Sequence, residues 1–231
     1  MNSIVKLRGT IFCVPIPFAR DFVAEMSDAL KDFTPLVIVN AMPVPPFFQT
    51  WQLNSPDNRE ALVFSGDKID LFQNTEEMPS GEISNSFIDR CKIVFNKIMK
   101  LKNCKCSRMA LAPTMAVEKP EKLYERLFKI LEFQDAKLDS SNLSQVYHMK
   151  KNLLGKEILF NYVVNFRNDT SIVQNAGREQ LREKFIADFD INTKQDPQYR
   201  FDDSMLNKFF DVAAACFKDF YELYMGEGVE K

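Results

Sequence analysis

Glycine is scarce in this 231-residue sequence, which contains seven glycines and neither a GxGxxG nor a GxxxxGK pattern. Glycine-rich loops of these two kinds hold phosphate groups in dinucleotide-binding and P-loop enzymes. Such enzymes also need parallel β-α-β units, which the strand pattern of this chain does not suggest. These absences argue against the usual nucleotide-binding enzymes.

Histidine is almost absent, and any Ser-His-Asp or Cys-His chemistry would have to use His148. This residue alternates with Tyr147 and Met149 on a predicted strand, so we expect it to face solvent or a groove in a surface or structural role. Zinc ligation is hard to assemble, because Cys104 and Cys106 form the one close pair of N or S ligands. We predict no catalytic residue, no cofactor and no metal site, and a non-enzyme more than an enzyme.

Long apolar runs are also missing, and none approaches the roughly 18 residues that a membrane helix needs. The first apolar run is broken by Pro15 and Pro17, which favours a first strand over a secretory signal. The net charge of −2 gives no general attraction to nucleic acid or anionic membranes. The five cysteines, an odd number, are interpreted as reduced, so we predict a soluble cytoplasmic protein without a membrane partner.

What the sequence does have is enough apolar material for a large core. Hydrophobic residues make up 45% of the chain, and 21 phenylalanines against one tryptophan predict a core built largely from phenylalanine packing. The last long helix, Ser204–Met225, shows helical spacing of apolar residues between capping oxygens at 202–204 and Gly226. Its predicted apolar face is Leu206, Phe209, Phe210, Ala213, Phe217, Phe220, Leu223 and Tyr224.

The order of predicted elements repeats once along the chain. A strand, a helix, antiparallel strands and a long amphipathic helix follow each other twice. The first series is a strand at 4–14, a helix at 20–33, a possible strand at 36–39, strands at 50–54 and 61–72 with an interruption at Gly66–Asp67, a loop at 73–82, and a helix at 84–101. The second is a strand at 107–117, a helix at 122–133, a loop at 134–143, strands at 145–154 and 158–167, a loop at 168–177, a strand at 183–193, and the last helix.

This repetition predicts an α+β fold with an internal structural duplication. We expect an N-terminal half at 1–103 and a C-terminal half at 104–231, packed together as one compact unit. Each half would be a curved antiparallel sheet covered by a long amphipathic helix, and the two sheets could join into one.

The strand FIADFDINT, which precedes the last helix, alternates between apolar and polar residues. We expect Phe185, Ala187, Phe189 and Ile191 to lie under the last helix, whereas Asp188, Asp190 and Asn192 point to the opposite face. Two carboxylates and an amide in a row can bind a hard cation or an amine. The same row is also typical of the solvated face of an antiparallel sheet, and the sequence leaves both interpretations open.

The layout resembles a sporadically distributed family of uncharacterised bacterial proteins of similar length. The matching stretches are TWQLNSPDNREALVFSGDKIDLFQ, which contains Trp51, and FIADFDINT, which contains Asp188 and Asp190. The resemblance extends over most of the chain in layout and over about 30 residues in sequence. It implies the fold class and a bacterial origin, and it implies no catalytic residue.

A local excess of positive charge lies on the end of the first long predicted helix and on the turn that follows it. No acidic residue occurs from Arg90 to Val117. This basic patch could contact phosphate of a nucleic acid or of a small anion, or it could be a solvated helix end whose cations compensate the helix dipole. The candidate anion-binding residues are Lys97, Lys100, Lys102, Lys105 and Arg108.

The proline-rich loop AMPVPPFFQTW is a second candidate surface. Its prolines restrict the backbone, and Phe47, Phe48 and Trp51 supply apolar area. These aromatic residues either pack over the sheet edge as part of the core or anchor a protein partner.

Taken together, these patterns favour a bacterial, cytoplasmic interaction protein that binds a protein partner. An accessory role in conflict, defence or immunity fits the distribution of the resembling family. A first alternative is a ligand-binding or hydrolytic protein that uses a groove near Asp188 and Asp190. A second alternative is nucleic-acid binding through the patch from Arg90 to Arg108.

Overall fold

A computed structural model of the chain describes residues 2–13, 20–36, 50–79, 82–117, 142–175, 178–198 and 200–225. These residues form an α+β structure of nine strands and three helices. The strands are β1 (Ser3–Cys13), β2 (Thr34–Leu36), β3 (Thr50–Asn54), β4 (Glu60–Ser65), β5 (Lys68–Pro79), β6 (Cys106–Val117), β7 (Asn142–Leu153), β8 (Lys156–Asn175) and β9 (Arg178–Thr193). The helices are α1 (Arg20–Ala29), α2 (Asn85–Lys102) and α3 (Asp203–Met225).

All nine strands belong to one sheet, in the order β2-β3-β4-β5-β1-β6-β9-β8-β7. Every neighbouring pair is antiparallel, which confirms the predicted α+β class with an antiparallel sheet. The two middle strands are β1 and β6, the first strands of the two predicted halves, and they pair along almost their whole length.

Helix α2 begins where its sequence predicts. The Ser84 side chain accepts a hydrogen bond from the Phe87 amide at 3.3 Å, so it satisfies one of the unpaired donors of the first turn. The helix ends at Asn103, whose φ of 45° is left-handed. The buried residues of α2 recur at helical spacing on one face of the helix: Phe87, Ile88, Cys91, Val94, Phe95, Ile98 and Met99.

Helix α3 begins after Asp202, whose carboxylate accepts a hydrogen bond from the Met205 amide at 2.9 Å. Most of the predicted apolar face of this helix is buried. Leu223 is an exception, since it is 51% exposed near the end of the helix, and the prediction that it belongs to the buried face is wrong. Phe220 is half-buried and stacks on Tyr162 of β8 with ring centroids 4.8 Å apart.

The helices α2 and α3 pack against each other on one face of the sheet. Phe95 stacks on Phe210 with ring centroids 5.8 Å apart, and the Asn96 amide donates to the Asn207 side chain at 2.8 Å. Helix α1 lies on the same face, because its Phe22 contacts Trp51 of the core edge-on at 5.6 Å. No helix among the described residues covers the opposite face.

Two predicted loops are strands instead. Strand β5 continues to Pro79, where a loop at 73–82 is predicted, because its polar residues pair with the middle strand β1, as Asn74 does with Lys6. Strands β8 and β9 replace most of the predicted loop at 168–177, since they pair with each other as far as Asn175 and Arg178. The backbone hydrogen bonds of these pairs outweigh the polar, turn-like composition.

The predicted interruption at Gly66–Asp67 is a tight turn between β4 and β5, in which Gly66 has a φ of 62°. The predicted helix at 122–133, the proline-rich loop at 40–48 and Gly226 lie outside the described residues. Within the described ranges, no helix is both long and apolar enough to cross a membrane.

Candidate functional site

The strand that precedes α3 alternates as predicted. Phe185, Ala187, Phe189 and Ile191 are buried, and the Phe189 ring meets Phe217 of α3 edge-on at 5.2 Å. Since neighbouring side chains of a strand point to opposite faces, Asp188, Asp190 and Asn192 lie on the face away from the helices. Among the described residues no helix covers this face, which makes it the first candidate for a functional surface.

Asp188 is held by side chains of two neighbouring strands. Its Oδ1 accepts a hydrogen bond from the Thr114 hydroxyl of β6 at 2.7 Å, and its Oδ2 accepts one from Arg167 Nε of β8 at 3.0 Å. Both carboxylate oxygens thus have protein partners. This arrangement ties three strands together and leaves the carboxylate less available to a ligand.

Asn192 is part of a second polar chain across the same face. Its Nδ2 donates to Asp190 Oδ1 at 3.1 Å, and its Oδ1 accepts from Asn161 Nδ2 at 2.9 Å. Asn161 Oδ1 in turn accepts from His148 Nδ1 at 2.8 Å. Asn192 is only 1% exposed, so the interpretation of the whole row as a solvated face is wrong at this position.

The two chains fit a structural network better than a metal site. Buried amides lower their energy by pairing with each other and with a carboxylate, as Asn161, Asn192 and Asp190 do here. Within the described part of the chain, no group of three or more His, Cys, Asp or Glu side chains is arranged to hold a metal ion.

Nearer the middle of the sheet, the same face carries a buried charge on β5. Asp70 is 4% exposed and accepts hydrogen bonds from the Thr10 hydroxyl at 2.6 Å and from Lys68 Nζ at 2.8 Å. A buried carboxylate is tolerated when it is paired and hydrogen-bonded in this way. This cluster fixes β1 against β5.

Cations lie over aromatic rings on either side of this cluster. Lys6 Nζ is 4.4 Å from the centre of the Phe72 ring, and the Arg108 guanidinium is 5.2 Å from that of Phe12. Arg8 stands between them on β1, on the same face. We call these five residues, Lys6, Arg8, Phe12, Phe72 and Arg108, the basic-aromatic face.

Two guanidinium nitrogens of this face are buried and are therefore out of reach of a partner from another chain. The Nε–H groups of Arg8 and Arg108 have no acceptor within the described ranges. Arginine and aromatic residues are enriched at the centres of protein interfaces, where they supply most of the binding energy. The basic-aromatic face therefore has the composition of a binding surface.

The five predicted anion-binding cations do not share one surface. Lys97 Nζ donates to the Ala29 carbonyl of α1 at 3.0 Å, and Lys102 Nζ lies over the Phe22 ring at 3.4 Å. Arg108 is on the opposite side of the sheet. Lys100 and Lys105 are exposed near the end of α2.

Trp51 does not belong to an exposed partner surface, which corrects one of the two interpretations of the proline-rich loop. The residue is 2% exposed, and its ring stacks on Phe64 with centroids 3.7 Å apart. Its place in β3, opposite Phe64 of β4, puts it in the core. Phe47 and Phe48 lie outside the described residues.

The strands β8 and β9 extend beyond their neighbours as a two-stranded ribbon. The last pair of β9 with β6 is Phe185 with Val117, and the last pair of β8 with β7 is Arg167 with Asn142. Seven further pairs of β8 and β9 follow, from Asp169 with Lys184 to Asn175 with Arg178. At about 3.3 Å per residue, this ribbon is roughly 20 Å long, and no third strand pairs with it among the described residues.

A cavity of about 240 Å³ lies on the helix side, where α2 and α3 meet. It is lined by residues that include Ile88, Asp211 and Ala214, and Lys218 forms a salt bridge with Glu82 at its rim. The cavity does not include Asp188 or Asp190, the carboxylates of the predicted groove.

The basic-aromatic face was missed by the sequence analysis, although a pattern for it exists. In β1, Lys6, Arg8 and Phe12 alternate with the buried Leu7 and Ile11, so the strand period places them on one face. Phe72 on β5 and Arg108 on β6 join this face because of how the strands are paired in register. The sequence of β1 alone does not determine that register.

Comparison of the chain with models of known protein families finds no match, and comparison with curated proteins finds none either. Proposals on its function therefore rest on the geometry of its own residues.

Proposed function

We propose that this protein is a non-enzymatic interaction protein that binds another macromolecule through the basic-aromatic face. The observation that carries the proposal is the pairing of Lys6 with Phe72 and of Arg108 with Phe12 on the face that no described helix covers. Cations held over aromatic rings offer a partner both apolar area and charge. A protein partner with acidic and apolar groups fits this surface.

The ribbon of β8 and β9 supports the same proposal. Its seven pairs from Asp169–Lys184 to Asn175–Arg178 lie beyond all other described strands. Among the described strands neither edge of this ribbon is paired beyond Asn168, and such a ribbon can add a strand from another chain or wrap around it. The ribbon thus provides a second contact region for a macromolecular partner.

The two alternatives stay predictions. Hydrolysis in a groove near Asp188 would have to compete with Thr114 and Arg167, which already bond both carboxylate oxygens. Nucleic-acid binding through the predicted patch would have to use cations that lie on opposite faces of the sheet, such as Lys97 on α2 and Arg108 on β6. Both arrangements favour the interaction proposal.

Bacterial origin, a cytoplasmic location and an accessory role in conflict, defence or immunity belong to the same proposal. The first and third rest on the family resemblance alone. The second is supported by the five cysteines, all of which are free thiols, as is usual in a reducing compartment.

We also propose that the two halves, each with a long amphipathic helix on its sheet, arose by duplication. In the sheet order, β3-β4-β5-β1 meets β6-β9-β8-β7, so that β1 and β6, β5 and β9, β4 and β8, and β3 and β7 hold corresponding places. Helix α2 follows the first set as α3 follows the second. If superposition of the halves about the β1–β6 pair left α2 and α3 in different positions, this proposal would fail.

Site-specific photo-crosslinking tests the interaction proposal. A photoreactive phenylalanine analogue replaces Phe72 on the basic-aromatic face, and in a second protein it replaces the exposed Leu223 on α3. In cells of the native host, we expect an adduct of discrete mass from position 72 and none from position 223. The adduct should disappear when Lys6→Glu and Arg108→Glu are added, because the charge that attracts the partner is reversed.

Equal adducts from positions 72 and 223 would mean nonspecific collisions and would contradict the proposal. No adduct from position 72 would contradict it as well. Thermal unfolding of each variant shows whether the fold is intact, and Lys150→Glu on the exposed edge strand β7 serves as a charge-reversal control that should leave the adduct in place.

A further inference from the structure

A row of polar side chains crosses three strands on the face away from the helices. His148 of β7 is paired with Asn161 of β8, and Asn161 is paired with Asn192 of β9. Side chains of directly opposite residues in antiparallel strands lie close enough to interact. Asp190 stands two positions before Asn192 on β9, so it shares the same face at the end of the row. We call these four residues the amide relay.

The hydrogen bonds of the amide relay all run in one direction. Asn161 Nδ2 donates to Asn192 Oδ1 at 2.9 Å, and Asn192 Nδ2 donates to Asp190 Oδ1 at 3.1 Å. The first bond joins His148 Nδ1 to Asn161 Oδ1 at 2.8 Å. A carboxamide oxygen only accepts hydrogen bonds, so the proton of this bond lies on Nδ1. The relay thus begins at an imidazole N–H and ends at a carboxylate.

The position of this proton decides what the imidazole offers to solvent. His148 is exposed on the edge strand β7, whereas Asn192 is buried. In a neutral ring that carries its proton on Nδ1, the lone pair is on Nε2. Within the described ranges, Nε2 has no hydrogen-bond partner. The relay therefore presents a nucleophilic nitrogen at the surface.

The same relay can stabilise a positive charge on the ring. When Nε2 attacks an electrophile, the imidazole becomes cationic, and an acceptor at Nδ1 stabilises that cation and fixes the ring. Here the acceptor is the Asn161 amide, which is in turn linked to the Asp190 carboxylate through Asn192. Hydrogen bonds in a chain polarise one another, so the carboxylate strengthens the bond at its far end.

The next row on the same face carries two cations. Lys150 is paired with Leu159 of β8, and the Lys194 amide donates to the Leu159 carbonyl at 2.8 Å, so the two lysines stand on either side of this residue. Lys150 is two positions after His148, about 7 Å along the strand. Both lysines are exposed, and Lys150 Nζ also bonds Glu157 at 2.8 Å. Ammonium groups beside the imidazole favour an electrophile that bears negatively charged oxygens, such as a phosphoryl group.

We propose that His148 is a modification site, at which Nε2 accepts a phosphoryl group from a donor of the phosphoramidate class. The Nε2 lone pair attacks phosphorus, the Nε2–P bond forms, and the P–N bond of the donor breaks. The electron pair of that bond leaves with the donor nitrogen. In phosphoramidate this nitrogen already carries three protons, so ammonia departs and no further proton moves. The ring keeps its Nδ1 proton in the bond to Asn161 and holds the positive charge.

Each residue of the site has a separate part in this step. His148 supplies the nucleophile, Asn161 is a positioning residue that fixes the proton on Nδ1, and Lys150 and Lys194 attract the phosphoryl oxygens. The site shares no residue with the basic-aromatic face, so its test is independent of the test for partner binding.

Potassium phosphoramidate tests the site in the full folded chain. The chain has one histidine, so a phosphoryl group on imidazole is assigned without peptide mapping. We expect one acid-labile phosphoryl group per chain in the mass spectrum, and phosphorus NMR should place it on Nε2 alone. N-acetylhistidine, whose two ring nitrogens are both accessible, should give products at both and serves as the reference.

Three results with these proteins would overturn the proposal. They are the absence of reaction, phosphorylation on Nδ1, and a mixture of products like that of N-acetylhistidine. In His148→Gln the acid-labile group should be lost. Its survival would mean that lysine reacts instead, which would overturn the proposal as well.

Substitutions of Asn161 test the relay. Asn161→Leu removes the acceptor of the Nδ1 proton, so phosphorylation at Nε2 should slow roughly two- to tenfold, the factor that one hydrogen bond supplies, and the Nδ1 product should appear. Asn161→Asp keeps an acceptor oxygen and should restore the Nε2 product. An Asn161→Leu variant that reacts like the wild-type chain would contradict the role of the relay. Thermal unfolding shows whether each variant is folded, and the product of the wild-type chain decides the proposal even if one is not.

The double variant Lys150→Gln, Lys194→Gln tests the contribution of the cations. We expect phosphorylation to slow roughly two- to fivefold, as is usual for exposed charges, with the product still on Nε2. Lys156→Gln is the matched control, because Lys156 is an exposed lysine at the start of β8 whose position falls on the opposite face. It should react like the wild-type chain. Equal slowing in the control, or none in the double variant, would contradict a phosphoryl site between these lysines.

Discussion

Gly9 of β1 lies directly beneath Cys91 of α2, so closely that a Cβ at position 9 would stand 2.5 Å from Cys91 Sγ. Phe95 and Phe210, one from each long helix, approach the same point to 3.2 and 3.4 Å. The absence of a side chain at Gly9 thus lets α2 and α3 meet over the middle strand.

This contact predicts that Gly9→Ala destabilises the protein by about 1–3 kcal/mol, because the added methyl group overpacks the core. Cys91→Ala removes the nearest atom. The double variant should therefore be more stable than expected if the effects of the two single substitutions simply added. We expect its free energy of unfolding to exceed that additive value by about 0.5–3 kcal/mol. Chemical denaturation of the four proteins measures this, and additive effects would contradict the contact.

A second prediction concerns the buried carboxylate of Asp70, which accepts hydrogen bonds from Thr10 at 2.6 Å and Lys68 at 2.8 Å. Thr10→Val keeps the shape but removes a donor, so it should lower the free energy of unfolding by about 1–3 kcal/mol. The exposed pair Lys150–Glu157 has a similar distance of 2.8 Å and serves as the control. Lys150→Met should leave stability unchanged within error, because exposed pairs contribute little.

The end of α3 gives a prediction for alkaline pH. The fully buried Tyr224 hydroxyl bonds Gln145 Oε1 at 2.7 Å and the Tyr147 hydroxyl at 2.8 Å. Burial, followed by the hydrogen bond with Tyr147, raises the pKa of Tyr224. The folded state therefore favours the neutral hydroxyl of Tyr224. The contribution of this hydroxyl to the free energy of unfolding is complete below the unfolded pKa of about 10, and it is lost as the pH rises towards the folded pKa.

Tyr224→Phe should cost about 1–2 kcal/mol at neutral pH through the lost hydrogen bonds. Above about pH 10 its stability should fall less steeply than that of the wild-type chain, because one buried ionisable group has been removed. The two proteins differ only in this hydroxyl, so the difference between their curves reports on the Tyr224 hydroxyl and its hydrogen bonds. Parallel curves of unfolding free energy against pH would speak against this role of the hydroxyl.

The turn between β7 and β8 offers a stabilising change. Leu154 and Gly155 have φ values of 52° and 81°, as in a type I′ turn, and the Gly155 amide donates to Asn152 Oδ1 at 2.7 Å. A leucine is strained in this left-handed conformation, and its side chain is 56% exposed, so it contributes little packing. Leu154→Asn should raise the free energy of unfolding by about 0.5–1 kcal/mol.

Gly155→Ala is the matched opposite change. It should destabilise the protein by about 1 kcal/mol, although a Cβ there would meet no atom within 4 Å, because the cost lies in the backbone. A destabilised Leu154→Asn variant in thermal denaturation would show that the leucine side chain packs in a way that outweighs the strain.

Helix positions could be predicted because their determinants are local. The period of Phe87, Cys91 and Phe95 in α2, with the cap at Ser84, fixes both the buried face and the start. Leu223 of α3 shows where this reasoning ends, since it shares the period of the buried residues but is exposed, whereas the next residue, Tyr224, is fully buried against β7.

The ends of the strands, and the side chains that contact the candidate site residues, could not be predicted because both depend on the neighbouring strands. Thr75 belongs to the strand β5 because β1 lies beside it, and its hydroxyl donates to the Ile4 carbonyl. Asp188 meets Thr114 and Arg167, which are 74 and 21 positions away in the chain. The sequence shows which residues share a face of one strand, and the register decides which residues of other strands they meet.

The place of β1 in the middle of the sheet has a consequence for the order of events on the ribosome. Its neighbour β5 follows within the first 79 residues, but β6 begins only at Cys106. At about 5–20 residues per second, the second edge of β1 stays unpaired for seconds after the first sheet can form. An unpaired edge recruits strands from other chains. The nascent chain thus passes through a stage at which protection by a chaperone matters most, and the emergence of β6 ends it.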